Sequence, residues 1–98
     1  LEEIKWEEWA VITAWNPQAV LLPDSENELR NGNLQKELQP FLVLHAEGRP
    51  EDPSSWQAEK SFFVAGIQAD QAVTLGRKYD QAAIVVGQKG KARLVWCR

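Results

Sequence analysis

Three polar side chains that could bind a ligand through hydrogen bonds or charge lie at helical spacing in the first half of the chain. Asn27, Arg30 and Asn31 follow one another at intervals of three and one residues, so they project from one side of a helix, and Leu34 and Leu38 extend the same stripe. An arginine fork binds carboxylate or phosphate at two points, and asparagine amides both donate and accept hydrogen bonds. The stripe is therefore a candidate site for an anionic ligand or for a carboxylate on a partner.

The same stripe has a second interpretation that needs no ligand. Its apolar half can pack on a sheet, and the polar groups carried along are costly to bury unless they find partners. A network that ties the start of the helix to the end of the sheet supplies such partners, which are carboxylates such as Glu59 or Glu47, backbone carbonyls or water. Folded chains satisfy most buried polar groups internally, which favours this network, but the role of Arg30 stays open between the two.

The other residues with reactive side chains are isolated. His45 is the single histidine and lies in an apolar run, so a catalytic role is disfavoured. Cys97 is the single cysteine, which excludes a disulfide within these residues and any paired-cysteine zinc or redox site. We therefore expect no catalytic residue, no metal site and no cofactor, and a non-enzymatic role is favoured.

The chain contains five Trp residues against three Phe and one Tyr. Trp15 and Trp96 are predicted to fill the core of a small domain, because each indole can bury roughly 150–250 Å². Trp56 differs, because it follows a loop, Glu47–Ser55, that carries one glycine and two prolines. It is either a rigid anchor for a partner or a plug over the open edge of the sheet.

Two helices are predicted to position these groups. Ser25 and Glu28 have the spacing of a capping box, which predicts a helix from Glu26 to Gln39. A second helix is predicted from Ala69 to Asp80, with a stripe of small residues that lets it lie close to a sheet. The stripe consists of Ala69, Ala72, Val73, Gly76 and Tyr79.

Alternating and apolar runs predict five strands around these helices. They are Trp9–Trp15, Phe41–Ala46, Lys60–Gly66, Ala83–Val86 and Arg93–Cys97. The order β-α-β-β-α-β-β predicts an α+β fold, a two-layer sandwich with a ferredoxin-like core and an added C-terminal strand.

Length and charge restrict the class of protein. Ninety-eight residues suit a single domain, 1–98, with residues 1–8 as a frayed or short helical lead-in. The net charge of −3 disfavours binding to a nucleic-acid backbone. No apolar run approaches the roughly 20 residues of a membrane span, and the acidic start lacks the basic region of a secretory signal. We expect a cytoplasmic protein without membrane insertion.

Four segments of the chain, taken in order, form a family pattern. They are Val11-Ile12-Thr13-Ala14-Trp15-Asn16-Pro17, Ser25-Glu26-Asn27-x-x-Arg30-Asn31-x-x-Leu34, Trp56-x-x-Glu59-x-Ser61-Phe62-x-Val64-x-Gly66-Ile67 and Tyr79-x-Gln81-x-Ala83. The pattern resembles the bacterial domain-of-unknown-function 3293 family from about Trp9 to Val86. The resemblance implies a small soluble bacterial protein, and it implies no established activity, cofactor or substrate. The polar positions of the family fall on Asn16, Glu26, Asn27, Arg30, Asn31, Glu59 and Gln81.

Two functions from different classes follow. The first is a non-enzymatic binding or accessory module that recognises a protein partner through Trp56 and its loop. The second is a small-molecule or nucleotide-responsive domain, with weak hydrolytic activity as an option, whose site lies at the start of the first helix. The residues of that site are Asn16, Asn27, Arg30, Asn31 and Glu59. Nucleic-acid binding is disfavoured by charge, and the oligomeric state is left open.

Overall fold

The computed structural model of the chain describes residues 8–17, 20–48, 59–88 and 90–97, with positions 47, 48 and 59 described by their backbone alone. The elements are strand β1 (Glu8–Ile12), helix α1 (Asp24–Glu37), strands β2 (Leu42–Gly48) and β3 (Glu59–Ala65), helix α2 (Ala69–Lys78), and strands β4 (Ala83–Gln88) and β5 (Lys91–Trp96). This is the predicted order of elements.

The strands form one sheet in the order β2-β3-β1-β4-β5, and every neighbouring pair is antiparallel. Each helix connects two strands that are separated by one intervening strand, which is the split βαβ arrangement of a ferredoxin-like domain. β5 extends the sheet beyond β4. The predicted two-layer α+β sandwich with an added C-terminal strand is confirmed.

Both helices pack on the same face of the sheet. Leu34 of the first helix, Leu38 directly after it and Ala72 of the second helix form one cluster with alternate residues of the three central strands. The strand members are Ala10 and Ile12 in β1, Phe62 and Val64 in β3, and Ile84 and Val86 in β4. The core therefore lies between this face and the helices, and no described helix covers the opposite face.

Helix α1 begins at Asp24, earlier than the sequence predicts. The capping box predicted at Ser25 and Glu28 is wrong, because no side-chain hydrogen bond caps this helix. Pro23 occupies the capping position instead, with φ −57° and ψ 148°, and its carbonyl accepts the Glu26 backbone N–H at 3.0 Å. A proline there restricts the backbone and has no N–H of its own to satisfy. Ser25 consequently lies inside the first turn.

Strand β1 ends at Ile12, whereas the alternation in the sequence predicts a strand as far as Trp15. The backbone leaves the sheet because the Asn31 side-chain oxygen accepts the Ala14 N–H at 2.8 Å, so this amide is no longer available to a neighbouring strand. Asn16 then adopts a left-handed conformation with φ 46°, which asparagine tolerates better than most residues. A side chain from α1 thus shortens the strand.

The two tryptophans predicted for the core have opposite environments. Trp15 is 8% exposed, as predicted, but Trp96 is 66% exposed and its assignment to the core is wrong. Trp96 pairs with Ala83 in the register of β4 and β5. Val95 and Cys97 on either side contact the core, so strand alternation places Trp96 on the face without helices.

Helix α2 lies close to the end of the sheet, as its small-residue stripe predicts. A Cβ atom at Gly76 would lie 2.6 Å from Cys97 Sγ and 3.1 Å from Ile84 Cγ2, which is closer than side chains tolerate. Cys97 itself is fully buried, and burial raises the pKa of its thiol. Gly76 is therefore required for this close approach, and Cys97 acts as a small apolar residue of the core.

Candidate functional site

The predicted polar stripe of α1 contacts the loop after β1. Asn27 Nδ2 donates to Asn16 Oδ1 at 2.8 Å, and Asn27 Oδ1 accepts the Asn16 backbone N–H at 2.8 Å. The pair also holds Leu22, whose N–H donates to Asn16 Oδ1 and whose carbonyl accepts from Asn27 Nδ2. Both asparagines are buried. Their amides therefore fix the path of the chain from β1 into α1.

Asn31 connects the same helix to two strands. Its side-chain oxygen accepts the Ala14 N–H at 2.8 Å, and its Nδ2 donates to the Lys60 carbonyl at 3.0 Å. The Thr13 hydroxyl donates to that carbonyl as well, at 2.6 Å, and accepts the Trp15 N–H at 3.0 Å. The end of β1, the start of β3 and the middle of α1 meet at this point.

Arg30 completes this set, which we call the asparagine network (Asn16, Asn27, Arg30 and Asn31). Its Nε donates to the Ala14 carbonyl at 2.8 Å, its Nη2 donates to the Tyr79 carbonyl, and the guanidinium lies 6.0 Å from the Tyr79 ring centroid. Arg30 is only half-buried and forms no ion pair with a described carboxylate. Backbone carbonyls supply its hydrogen-bond partners instead.

A further member of this region is Gln81, which the first-helix stripe does not include. Gln81 is buried, and its Nε2 donates to the carbonyls of Trp15 and Tyr79, each at 3.3 Å. Together with Arg30 it ties α2 and β4 to the loop after β1. The polar groups of the network thus find partners within the chain, which favours its interpretation as a structural network.

Two of the predicted site residues have no described side chain. Trp56 and most of its loop lie outside the described residues. Glu59 is the first residue of β3, where the backbone alone is described. Of the six candidates, the structure therefore brings together Asn16, Asn27, Arg30 and Asn31.

A cleft of about 430 Å³ opens beside the first helix, lined by Glu28, His45, Ala46 and Lys60. Lys60 Nζ lies 2.6 Å from Glu28 Oε2 and 5.7 Å from the centroid of the Trp15 ring. His45 packs against Phe62, with 5.5 Å between ring centroids. Across the described part of the chain, no three His, Cys, Asp or Glu side chains converge to hold a metal ion. The described lining of this open cleft carries one cation, one carboxylate and one imidazole.

A second polar cluster joins the two helices at their C-terminal ends. The Tyr79 hydroxyl donates to a Glu37 carboxylate oxygen, and Lys78 Nζ lies 2.9 Å from the other oxygen. Burial, and then this hydrogen bond to Glu37, raise the pKa of Tyr79 to about 12. The hydrogen bonds from Tyr79 and Lys78 lower the pKa of Glu37. These contacts hold the helices together and leave no reactive group free.

Four of the seven exposed large apolar side chains of the described residues lie on the sheet face opposite the helices, which we call the uncovered face. Its large side chains are Trp9, Leu42, Leu44, Phe63, Leu94 and Trp96, and four of them are more than half exposed. The Trp9 ring stacks on Phe63 at 5.2 Å and lies directly over Gly87, where a Cβ would collide with it. Sequence reasoning missed this face. Its signal is apolar residues at consecutive strand positions, as in Leu42-Val43-Leu44, which is typical of strands covered on both sides.

The register of the strands aligns these side chains in rows. One row crosses all five strands through Leu44, Phe63, Val11, Val85 and Leu94, because each residue pairs with the next. A second row contains Leu42, Ala65, Trp9, Gly87 and Ala92. Charged strand residues such as Lys60 and Arg93 alternate to the helix side. Both rows are therefore free of charge.

A scan against family models matches residues 12–84 to a protein of unknown function, DUF3293. The chain belongs to this family. No match was found among curated proteins or among solved structures. The matched range contains the whole asparagine network and ends at the start of β4, so β5 lies outside it. Neither described helix is long and apolar enough to cross a membrane.

Proposed function

We propose that this DUF3293 chain is a small non-enzymatic binding module that acts through a protein partner, and that the uncovered face is its binding surface. The observation that carries the proposal is the exposure of large apolar side chains at both edges of this face, with Leu44 54% and Trp96 66% exposed. Monomeric domains rarely expose a contiguous apolar patch of more than about 300–600 Å². A partner that covers the face removes this surface from water.

The chemistry of the face matches that of the centre of a protein interface. Interface centres are depleted in charged residues and enriched in aromatic ones, and their strongest contacts come from rigid rings. Trp9 and Phe63 are stacked on each other at the middle of the face. Because Trp9 rests on Gly87, its ring is already held in position before a partner binds.

The experiment that tests this function is site-specific photocrosslinking. A benzophenone amino acid is placed at Leu44 or Leu94 on the uncovered face, and at Leu29 on the outer side of α1 as the control, since Leu29 is also exposed. We expect one discrete crosslinked protein from both face positions and none from Leu29. That protein, identified by mass and then purified, should bind the native chain and fail to bind Leu94→Glu. Equal crosslinking from all three positions, or none from the face, contradicts the proposal.

Trp56 remains a separate prediction for the same function. If it anchors the partner, Trp56→Ala weakens partner binding by roughly 2 kcal/mol or more and leaves the melting temperature unchanged. A sharply lowered melting temperature with full affinity contradicts that role. Bacterial origin and a cytoplasmic location likewise stay predictions from the sequence.

The cleft beside α1 favours a second candidate function, recognition of a small anionic molecule such as a nucleotide. Its volume of about 430 Å³ suits a small ligand, and its lining brings the cation of Lys60 and the ring of His45 together. A ligand phosphate would compete with Glu28 for Lys60. The test is a thermal-shift screen of nucleotides against the native chain and Lys60→Met, with Lys36→Met as the surface control. No stabilisation by any nucleotide, or the same stabilisation of Lys60→Met, contradicts it.

A further inference from the structure

The uncovered face has about the size of a small interface between proteins. Five strands spaced about 4.8 Å apart, each about six residues long at roughly 3.3 Å per residue, span about 24 by 20 Å. Two such faces in contact cover about 960 Å² in plan, and side-chain relief adds to this. A biological interface needs roughly 1,000 Å² in total, so two such faces form an interface at the lower end of the size range.

The charge distribution indicates which partner fits the face. Each copy carries a net charge of −3, so two copies repel unless they meet through an uncharged surface. The two residue rows of the uncovered face contain apolar residues and glycine alone, whereas Lys91 and Arg93 of β5 alternate to the other side. Homodimer interfaces are more apolar than those between proteins that associate transiently. The uncovered face has the apolar composition of a homodimer interface.

We propose that the partner is a second copy of this chain, packed face to face through the uncovered face; this inference rests on the proposed function. The row Leu44, Phe63, Val11, Val85, Leu94 has a large apolar residue at each end and an aromatic ring inside it. A two-fold axis parallel to the strands maps this row onto itself in reverse order. Leu94 of one copy then lies over Leu44 of the second copy, and the sheets pack about 10 Å apart.

Sedimentation or light scattering of the 98-residue chain tests the inference. We expect a mass of twice 11.1 kDa at micromolar concentration. Leu94→Glu and Leu44→Glu should each raise the dimer Kd by about 100-fold or more, because a symmetric interface carries every substitution twice. The control Leu29→Glu, on an equally exposed leucine of α1, should leave the Kd unchanged. Far-UV circular dichroism confirms that each variant is folded, which is expected because the three leucines are exposed.

Crosslinking of introduced cysteines with a short bismaleimide tests the arrangement of the two copies, because sheets about 10 Å apart are too distant for a direct disulfide. A mixture of Leu94→Cys and Leu44→Cys chains should be crosslinked between copies, and neither variant should be crosslinked alone. Crosslinking of Leu94→Cys with itself overturns the proposed axis, and a monomeric native chain at 100-fold higher concentration overturns the dimer. If the native chain is monomeric but photocrosslinking at Leu94 captures one other protein that binds it, the dimer is wrong and the proposed binding function stands. If neither is seen, both are wrong.

Discussion

Asn16 and Asn27 exchange two hydrogen bonds of 2.8 Å, one between their side chains and one from the Asn16 backbone N–H to the Asn27 side chain. The geometry requires an amide at position 27, since one atom must accept and the other must donate. The pair stands at the entry to α1, and Asn16 has a left-handed backbone.

Asn27→Leu should lower the free energy of unfolding by about 3 kcal/mol, because it removes the acceptor of the Asn16 backbone N–H, the donor to the Leu22 carbonyl and one donor to Asn16 Oδ1. Urea denaturation measures the change. Asn33→Leu is the matched control, because Asn33 lies on the exposed side of the same helix, and we expect a change within about 0.5 kcal/mol. Equal effects of the two substitutions contradict a structural role for the network.

Arg30 should contribute to the stability of the fold through the forked shape of its guanidinium, since two different nitrogen atoms of that group donate to the carbonyls of Ala14 and Tyr79. Arg30→Ala should cost about 2 kcal/mol of stability, typical of lost hydrogen bonds from a charged donor. Arg30→Lys should restore less than half of this, because a single ammonium cannot reproduce the fork. A Lys variant as stable as the native chain in chemical denaturation would show that charge alone matters.

Replacing two helical glycines by alanine should change the free energy of unfolding in opposite directions. Gly76→Ala places a methyl group 2.6 Å from Cys97 Sγ, and we expect a loss of about 1–3 kcal/mol. Gly32→Ala meets nothing within 4 Å and should gain up to about 1 kcal/mol from helix propensity. Thermal unfolding measures both. Adding Cys97→Ala should recover part of the Gly76→Ala loss, and a purely additive double variant contradicts the clash.

The raised pKa of Tyr79 predicts that the folded chain loses stability at alkaline pH. Its pKa of about 12 in the folded chain lies above the ordinary 10.0, so folding favours the neutral phenol. The resulting stability is fully present below about pH 10 and is lost as the pH rises toward 12. Tyr79→Phe should therefore show a weaker decline in unfolding free energy over this range.

The same pKa can be measured directly, because Tyr79 is the only tyrosine. Absorbance of the tyrosinate should titrate near pH 12 in the folded chain and near pH 10 in denaturant. Glu37→Gln should move the folded midpoint down in part, since burial still raises the pKa of Tyr79 but the added effect of the carboxylate is gone. A folded midpoint near 10 in the native chain would rule out the buried hydrogen bond.

The order of elements could be predicted because it depends on local patterns. The spacing of Asn27, Arg30, Asn31, Leu34 and Leu38 indicates a helix with a polar half and an apolar half, and α1 has this form. The partners of the polar half could not be predicted. The carbonyls that Arg30 reaches lie 16 and 49 residues away, and the one that Asn31 reaches lies 29 residues away. A local sequence pattern does not indicate which distant backbone carbonyls will have no backbone partner and will accept a hydrogen bond from a side chain.

The sequence by itself determined the α+β class, the β-α-β-β-α-β-β order and the close approach of α2, since periodicity and small residues act over a few positions. Only the tertiary structure decided which side of each strand is covered. Consecutive apolar residues in β2, β4 and β5 are compatible with burial of either face of the sheet. The buried face is the one on which both helices pack. Trp96 is exposed for this reason. Its neighbours Val95 and Cys97 face the helices, and because side chains alternate along a strand, Trp96 faces the opposite side of the sheet.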